Sequence, residues 1–255
     1  MSATLLDRIL EDKRRRLRGP STSAAGDGPP SDGDGFVRAL RSAGVRVIAE
    51  IKARSPSAGE ILASPAVRVE AIARAFAAGG AAAISVVTEQ DHFGGDPAWV
   101  PRARAASGLP VLMKDFFVDE AQLDEAAGLG ADAVLLIVGA LEGEALGRMR
   151  EAARGRGLAV IVEAHGEEEV RRAAAVEPEV LGVNARDLRT FTVNHAAMPA
   201  LAAAVPEGIV RLAESGIAGR EDIARLRAAG YDAFLVGESL LRAGDPESAL
   251  RGLMS

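Results

Sequence analysis

The segment GADAVLLI, residues 130–137, passes from a glycine into a short apolar run, and two other segments repeat this pattern. They are GAAAISVV, residues 80–87, and GYDAFLV, residues 230–236. Each glycine follows a longer stretch of helical character, and the run after it has the apolar, β-branched composition of a buried strand. We therefore predict that one unit of a strand and a helix is repeated along the chain.

Eight such strands are predicted from Val47 onward, with helical stretches rich in Ala, Arg and Glu between them. They are residues 47–52, 82–88, 111–114, 133–138, 159–163, 180–184, 209–214 and 232–237. Continuous apolar strands that alternate with helices are typical of a parallel sheet buried on both faces. Eight units in a chain of 255 residues predict an α/β fold, a single-domain (β/α)₈ TIM barrel. An open, doubly wound sheet is the alternative fold.

Residues that commonly cap helices precede five of the predicted helices, and proline follows three of them. These residues are Ser64, Asp96, Asp119, Asn194 and Asp245. We predict that each begins a helix.

The first 46 residues are predicted to form an N-terminal segment that precedes a barrel of residues 47–255. Thr4 to Leu17 has the apolar stripe of an amphipathic helix, and Thr4 with Asp7 makes a weak capping box. The basic cluster from Lys13 to Arg16 is interpreted as the solvated face of this helix. Residues 19–35 are rich in Gly, Pro, Ser and Asp, and we predict a mobile linker that is too weakly apolar to pack.

The composition excludes several classes of protein and site. A formal net charge of −6 argues against general affinity for nucleic acid, which needs a basic face. The chain has no cysteine and only three scattered histidines, so no disulfide or metal site is predicted. His92, His165 and His195 are interpreted as loop or helix-cap residues. No apolar run approaches the ~20 residues of a membrane span, and we predict a cytoplasmic protein with no membrane partner.

Charged and amide side chains stand at the carboxyl ends of the predicted strands, where a (β/α)₈ barrel builds its active site. They are Glu50 and Lys52 on the first strand, Lys114 on the third, Glu163 on the fifth, Asn184 on the sixth and Glu214 on the seventh. Each charge taken alone could be a solvated strand end in a salt bridge. Their convergence on one mouth favours catalysis, and Glu50 and Lys52 share one face of their strand because they are two residues apart.

Lysine is scarce in this chain, where Lys13, Lys52 and Lys114 are the only lysines among 30 basic residues. An arginine keeps its proton at working pH, whereas a lysine can release it once burial and a neighbouring cation lower its pKa. Two of the three lysines stand at the mouth, and we predict that they serve as proton donors.

Three turns after strands indicate a phosphate site. Ser55 to Gly59 follow the first strand, Ser215-Gly216 follow the seventh, and Gly237-Glu238-Ser239 follow the eighth and open a helix. Barrels often bind phosphate with the loops after strands seven and eight and the free N–H groups of a helix N-terminus. A small phosphorylated substrate is predicted.

Six segments in this order resemble the indole-3-glycerol phosphate synthase family, and the resemblance covers nearly the whole chain. They are Ser55-Pro56-Ser57, Lys114-Asp115-Phe116, Glu163-Ala164-His165, Asn184 to Leu188, Glu214 to Ile217 and Leu235 to Ser239. The leading helix is similar to the segment with which this family covers its barrel. The resemblance implies a carboxy-lyase of tryptophan biosynthesis, without a cofactor, whose substrate is 1-(2-carboxyphenylamino)-1-deoxyribulose 5-phosphate. We expect a monomer or a weak homo-oligomer.

The resemblance also implies roles for single residues. Lys114 matches the general acid that protonates the substrate carbonyl, Lys52 matches a lysine that holds the substrate carboxylate, and Glu163 matches the general base of the later step. Residues that orient the lysines and the hydroxyls are matched by Glu50, Asn184 and Glu214. The residues that bind the substrate phosphate in the family are matched by Ser55, Gly216, Gly237 and Ser239. Contacts to the anthranilate ring are matched by Phe116 and Leu135, and a loop arginine near the substrate by Arg186.

Three alternatives stay open at this point. A related barrel isomerase would share the phosphate end, but it would be expected to carry an Asp or Cys acid/base pair. A non-catalytic relative would bind a phosphorylated ligand without turning it over. The same chemistry could also serve an indole-derived secondary pathway.

The chain differs from many bacterial members of the family at Ala58, where a lysine is frequent.

Overall fold

The computed structural model describes residues 4–18, 28–187 and 192–255, and its central element is a closed barrel of eight parallel strands. The strands are β1 (Arg46–Ile51), β2 (Ala83–Val87), β3 (Val111–Lys114), β4 (Ala133–Ile137), β5 (Ala159–Ala164), β6 (Val180–Asn184), β7 (Val210–Glu214) and β8 (Ala233–Val236). Each strand pairs with the next one along the chain, and β8 pairs with β1. The predicted (β/α)₈ barrel is confirmed, and the open sheet was the wrong alternative.

The repeated glycines of the sequence have a common conformation. Gly80, Gly130 and Gly230 have φ values of 91°, 78° and 97°, in the left-handed region that residues with a Cβ rarely adopt. Each follows a helix and turns the chain into the next strand. This turn explains the repeated pattern, and every predicted strand boundary agrees with the structure to within one residue.

Helices cover the outside of the barrel and both of its ends. They are α1 (Leu5–Leu17), α2 (Gly33–Arg41), α3 (Val69–Ala78), α4 (Trp99–Ser107), α5 (Glu120–Gly128), α6 (Ala145–Arg154), α7 (Glu167–Ala174), α8 (Met198–Ala203), α9 (Arg220–Ala228), α10 (Glu238–Arg242) and α11 (Pro246–Met254). Within the ranges that the structure describes, no helix is both long and apolar enough to span a membrane.

The predicted helix starts are confirmed in part. Asp119 and Asp245 accept hydrogen bonds from first-turn N–H groups of α5 and α11. Asn194 does the same for a short 3₁₀ turn. Asp96 accepts a hydrogen bond in the turn just before α4. Ser64 precedes a 3₁₀ turn, Pro65–Val67, as predicted, but it has a φ of 50° and its side chain makes no capping hydrogen bond.

The segment before the barrel packs differently from the predicted linker. From Gly28 on, the chain lies against the amino-terminal ends of the strands, where the N–H group of Gly28 donates to Gly128 O and that of Asp32 donates to Asp132 Oδ1. Helix α2 then begins at Gly33. The expectation that residues through Gly35 do not pack was therefore wrong, because backbone hydrogen bonds rather than apolar side chains hold them. Residues 19–27 lie outside the described residues.

Helix α1 lies over the opposite end of the barrel, at the carboxyl ends of the strands. Its predicted capping box is confirmed, since Thr4 and Asp7 bond each other reciprocally. Its apolar stripe of Leu6, Ile9 and Leu10 is buried. The solvated interpretation of the basic cluster is wrong for Lys13, which is 8% exposed and contacts Asp115 instead.

Candidate active site

A cavity of about 380 Å³ opens at the carboxyl ends of the strands, and every residue predicted for the site lines it. The predicted group comprises Glu50, Lys52, Ser55, Lys114, Phe116, Leu135, Glu163, Asn184, Arg186, Glu214, Ser215, Gly216, Gly237, Glu238 and Ser239. They come from many separate parts of the chain. Parallel strands bring them together because all strand ends of one polarity meet at one rim of the barrel.

Two lysines and one carboxylate form the centre of the site. Lys52 Nζ lies 2.7 Å from Glu50 Oε1, as expected for residues two apart on one strand. Lys114 Nζ lies 3.3 Å from Glu50 Oε2 and 3.2 Å from Glu214 Oε2. Glu50 is therefore shared by both ammonium groups, and it fixes the distance between two potential proton donors.

The charges around Lys114 act against the predicted direction of its pKa. Burial lowers the pKa of Lys114, but the nearby carboxylates of Glu50, Glu214 and Glu163 raise it above its ordinary value. The expectation that this pKa is lowered was wrong, because the three carboxylates outweigh the effect of burial. Lys114 is fully protonated at neutral pH, which is the form that a general acid needs.

Glu50 shows the reciprocal effect. Burial raises the pKa of Glu50, but the charges and hydrogen bonds of Lys114 and Lys52 lower it to about 2. This carboxyl group therefore stays ionised at neutral pH, as a fixed negative charge between the two cations.

Glu163 interacts with two side chains that were not predicted for the site, His165 and Glu169. Its Oε1 lies 3.2 Å from His165 Nε2, and His165 Nδ1 lies 3.1 Å from Glu169 Oε2. Burial lowers the pKa of His165, whereas hydrogen bonds to Glu163 and Glu169 raise it to about 10. The interpretation of His165 as an ordinary loop residue was incomplete, since its spacing of two from Glu163 already placed both on one face of the chain.

Glu163 and Glu214 form a coupled pair of buried carboxyl groups. Burial raises the pKa of Glu163, but His165 outweighs this effect and lowers it to about 2. Burial and the neighbouring Glu163 raise the pKa of Glu214 to about 8, against the lowering effect of Lys114. Glu163 is therefore the member of this pair with the lower pKa, and its ionised carboxylate is the one that can act as a base.

The turns predicted for phosphate meet at one side of the cavity. The hydroxyl of Ser239 donates to the Ile217 carbonyl at 2.9 Å, which ties the loop after β8 to the loop after β7. Ser215 and Gly216 both have positive φ, at 69° and 71°. The Ser55 hydroxyl accepts from the N–H group of Ala58 at 3.1 Å. Successive left-handed residues and a helix start present backbone N–H groups to an anion.

At two positions on the phosphate side of the cavity, a side chain larger than that of glycine would meet a neighbouring residue. A Cβ on Gly237 would lie 2.9 Å from Glu50 Oε1 and 3.0 Å from Glu50 Cβ. A Cβ on Gly216 would lie 2.4 Å from His195 Nε2. Gly237 therefore allows the phosphate turn to lie directly beside the carboxylate that holds both lysines.

The other side of the cavity is apolar. Phe116 and Leu135 are buried there, and the ring of Phe93 lies 6.0 Å from that of Phe116 at an angle of 41°. Phe93 also lines the cavity, although it was not among the predicted site residues. Rings and branched side chains of this kind form a surface for a planar aromatic group.

Asn184 and Arg186 lie at the end of β6 beside the two glutamates. Asn184 is buried, and its Oδ1 accepts from the N–H group of Arg186 at 2.9 Å. This bond holds the start of the loop that carries the arginine. Leu188, part of the same predicted motif, lies outside the described residues.

Comparison with known proteins shows the family of the chain. A family model described as indole-3-glycerol phosphate synthase matches residues 6–253. The chain belongs to the indole-3-glycerol phosphate synthase family. It is 49% identical over 212 residues to the indole-3-glycerol phosphate synthase of a Nocardioides species, which covers 83% of this chain and 81% of the relative. It is 46% identical to indole-3-glycerol phosphate synthase 2 of Streptomyces coelicolor, over 95% of this chain and 93% of the relative.

Solved structures extend the comparison to the fold. A thiamine phosphate pyrophosphorylase from Pyrococcus furiosus superimposes with a TM-score of 0.60 at 17% identity, over 82% of this chain and 93% of the other. Orotidine 5′-phosphate decarboxylase from Pyrococcus horikoshii gives a TM-score of 0.60 at 16% identity, over 82% and 97% of the two chains. At such identities the likeness concerns the barrel alone.

Membership of the indole-3-glycerol phosphate synthase family confirms the predicted activity, that of a carboxy-lyase of tryptophan biosynthesis. It also supports a small phosphorylated substrate.

Arg242 is a further lining residue that the sequence analysis missed. Its Nη2 donates to the carbonyl of Ala58 at 3.2 Å, and its Nε donates to Glu238 Oε1 at 3.0 Å. A cation therefore lies beside the backbone of Ala58 in the loop after β1.

Proposed function

We propose that the cavity converts 1-(2-carboxyphenylamino)-1-deoxyribulose 5-phosphate to indole-3-glycerol phosphate by ring closure, decarboxylation and dehydration. The observation that carries this proposal is the pairing of Lys52 and Lys114 with the single carboxylate of Glu50 inside a cavity that has one apolar side and one side of phosphate turns. The reaction needs an acid at a carbonyl and a cation at a carboxylate. Two adjacent ammonium groups supply both.

Lys114 is proposed as the general acid of ring closure. The aromatic carbon that bears the carboxylate attacks the substrate carbonyl, and the carbonyl oxygen takes a proton from the ammonium group as the new bond forms. The contacts with Glu50 and Glu214 point the ammonium group into the cavity. Loss of carbon dioxide then restores the aromatic ring. General acid catalysis of this kind contributes roughly 100- to 10,000-fold.

Lys52 and Glu163 are proposed to act in decarboxylation and dehydration. The Lys52 ammonium group pairs with the substrate carboxylate until it leaves as carbon dioxide, and it is a candidate acid for the hydroxyl that departs as water. Glu163 accepts a proton in this dehydration. The pKa of Glu163 is lowered to about 2, so its carboxylate is ionised, which is the form that accepts a proton.

The remaining residues orient the reactive groups and the substrate. Glu50, Asn184 and Glu214 hold the lysines and the substrate hydroxyls. The phosphate lies against Ser55, Ser215, Gly216, Gly237, Glu238 and Ser239. The anthranilate ring lies against Phe116 and Leu135, with Arg186 at the edge of the site. The presence of an apolar side and a separate side of glycine and serine turns supports this orientation, because a substrate with one aromatic and one phosphate end can occupy the cavity in one direction.

We further propose that the protein acts in the cytoplasm as a monomer or weak homo-oligomer, and that residues 1–46 form a separate segment that covers the barrel of residues 47–255. The metabolic substrate of the family supports the location. The burial of α1 on the mouth and of α2 on the opposite end supports the division.

A turnover assay tests the function. Purified protein is mixed with 1-(2-carboxyphenylamino)-1-deoxyribulose 5-phosphate, and indole absorbance and fluorescence are followed, with Lys114→Ala in parallel. Indole formation by the wild type that is lost in the variant is expected. Tight, phosphate-dependent binding without product would indicate a non-catalytic relative. The absence of both product and binding would redirect the search to substrates of other barrel isomerases.

A further inference from the structure

Lys13 of helix α1 is buried at the rim of the active site, although no role in the proposed reaction has been given to it. Its side chain is 9% exposed, and its Nζ lies 2.6 Å from Asp115 Oδ1, whose side chain is 4% exposed. Arg14 to Arg16 of the same helix are exposed. A buried lysine among exposed arginines indicates a specific partner, because an ammonium group is rarely buried without one.

Asp115 is held from three directions. Its Oδ2 accepts from the Thr88 hydroxyl at the end of β2 at 2.9 Å, and its Oδ1 accepts from the N–H group of Phe116 at 2.7 Å. Lys13 supplies the positive charge. A buried carboxylate that lost this cation would keep only neutral donors, and the arrangement around it would become unfavourable.

The position of Asp115 in the chain connects this ion pair to catalysis. It stands between Lys114, the proposed general acid, and Phe116, a proposed contact of the anthranilate ring. A shift of its backbone would move both neighbours, and a displacement of about 1 Å at a reacting group can cost about 100-fold in rate. Thr88 adds a second fixed point, since its N–H group donates to the Lys114 carbonyl at 3.0 Å.

The apolar face of α1 reaches the same part of the cavity. Leu6, Ile9 and Leu10 belong to one buried cluster with Phe116 and Leu135. The helix therefore covers the aromatic side of the site with its apolar stripe, and Lys13 fixes the helix to the loop that carries the acid.

We propose that Lys13 is a positioning residue of the synthase, which acts through its ion pair with Asp115 to hold Lys114 and Phe116 in their catalytic arrangement. This inference rests on the proposed function. It gives the N-terminal helix a residue that controls rate, in addition to its role as a cover.

Steady-state kinetics of Lys13→Met test the proposal, with Arg14→Met as the matched control that removes an exposed cation from the same helix. We expect Lys13→Met to lower kcat/KM by about tenfold to 100-fold, with changes in both kcat and KM because Lys114 and Phe116 move together. Arg14→Met should match the wild type. Lys13→Arg, which keeps the charge, should recover most of the lost activity.

A double-mutant cycle with Asp115→Asn separates positioning from a general loss of stability. In Lys13→Met/Asp115→Asn no buried charge is left unpaired, so the double variant should be no worse than the more damaged single variant. Effects that multiply instead would overturn the proposal. So would wild-type kinetics in Lys13→Met at a temperature where circular dichroism shows it folded.

Two further arms keep the result interpretable. If Lys13→Met fails to fold, Lys13→Gln replaces it in the kinetic test, because the glutamine amide can donate a hydrogen bond to Asp115 without a charge. Intermediate activity of Lys13→Gln supports the proposal, and unchanged activity contradicts it. Wild-type turnover in the same assay tests the proposed function separately, since the inference is measured by the ratio of variant to wild type.

Discussion

Lys114 Nζ lies 3.2 Å from Glu214 Oε2, which joins the ends of β3 and β7 from opposite sides of the barrel. Three strands lie between β3 and β7 in either direction around the closed sheet. One lysine side chain therefore bridges the mouth, and the site is narrow enough for acid and base groups of distant strands to act on one substrate.

Substitution of Lys114 tests whether proton donation or charge matters. Lys114→Ala should lower kcat by about 100- to 10,000-fold, the usual contribution of a general acid. Lys114→Arg should be nearly as damaging, because the guanidinium group does not release its proton and cannot occupy the narrow space between Glu50 and Glu214 in the same way. Single-turnover rates of both variants measure the effect. Appreciable activity of Lys114→Arg would show that the charge suffices.

Gly237→Ala should impair catalysis without adding or removing a polar group. The new Cβ would lie 2.9 Å from Glu50 Oε1, so the carboxylate that holds both lysines must move. We expect kcat/KM to fall by roughly tenfold or more. Gly244→Ala is the matched control, because a Cβ there meets nothing within 4 Å, and it should leave kcat/KM unchanged. Equal kinetics of the two variants would contradict the requirement for glycine at residue 237.

The stability of the protein should depend on pH through His165. Its pKa is raised in the folded state from 6.5 to about 10, so the folded protein holds this proton more tightly than the unfolded chain. The resulting stabilisation is fully present below pH 6.5 and is lost as the pH rises toward 10.

Thermal unfolding of the wild type and of His165→Gln from pH 6.5 to pH 10 measures this contribution. Glu214, with a pKa raised to about 8, contributes to both proteins in the same direction. We expect Tm to fall more steeply with pH in the wild type than in the variant. Parallel curves would show that His165 is not the titrating group.

Asp132→Ala should destabilise the fold without altering the site. Asp132 is buried at the amino-terminal end of β4, pairs with Arg104 and accepts from the N–H groups of Asp32 and Val111. Loss of a buried ion pair and its hydrogen bonds costs roughly 2–4 kcal/mol.

Urea unfolding measures the free energy for Asp132→Ala and for Asp124→Ala, which removes an exposed ion pair with Arg156. The control should lose less than about 1 kcal/mol. Both variants should keep wild-type kcat at 25 °C, because neither residue lines the cavity. A large loss of kcat in Asp132→Ala would show that contacts at the amino-terminal end of the barrel also influence catalysis at the other end, which contradicts the prediction.

The sequence could predict what depends on local spacing. Strand ends followed from apolar runs and glycines, and the pairing of Glu50 with Lys52 followed from their spacing of two. Glu163 and His165 are also two residues apart, so the place of the histidine in the site was predictable in the same way. The packing of residues 28–35 was not predictable from hydropathy, because the carboxylate of Asp132 and backbone carbonyls hold them.

Contacts between distant segments carried no such signal. Lys13 lies on the buried stripe of α1, three residues from Leu10 and four from Ile9, so its spacing could have distinguished it from the arginines beside it. Its pairing with Asp115 depends on the packing of α1 over the barrel, and nothing local to either residue predicts that partner. The direction of the Lys114 pKa likewise depends on three carboxylates from three strands, whose distances only the folded barrel sets.

The position of α1 also has a consequence for synthesis of the chain on the ribosome. Lys13 is synthesised roughly a hundred residues before Asp115, so at about 5–20 residues per second the helix waits about 5 to 20 seconds for its partner. A helix of 13 residues is only marginally stable alone, and its apolar stripe has nothing to cover until the first strands assemble. Docking of the N-terminal helix is therefore expected to be a late event, after which the newly made protein first becomes active.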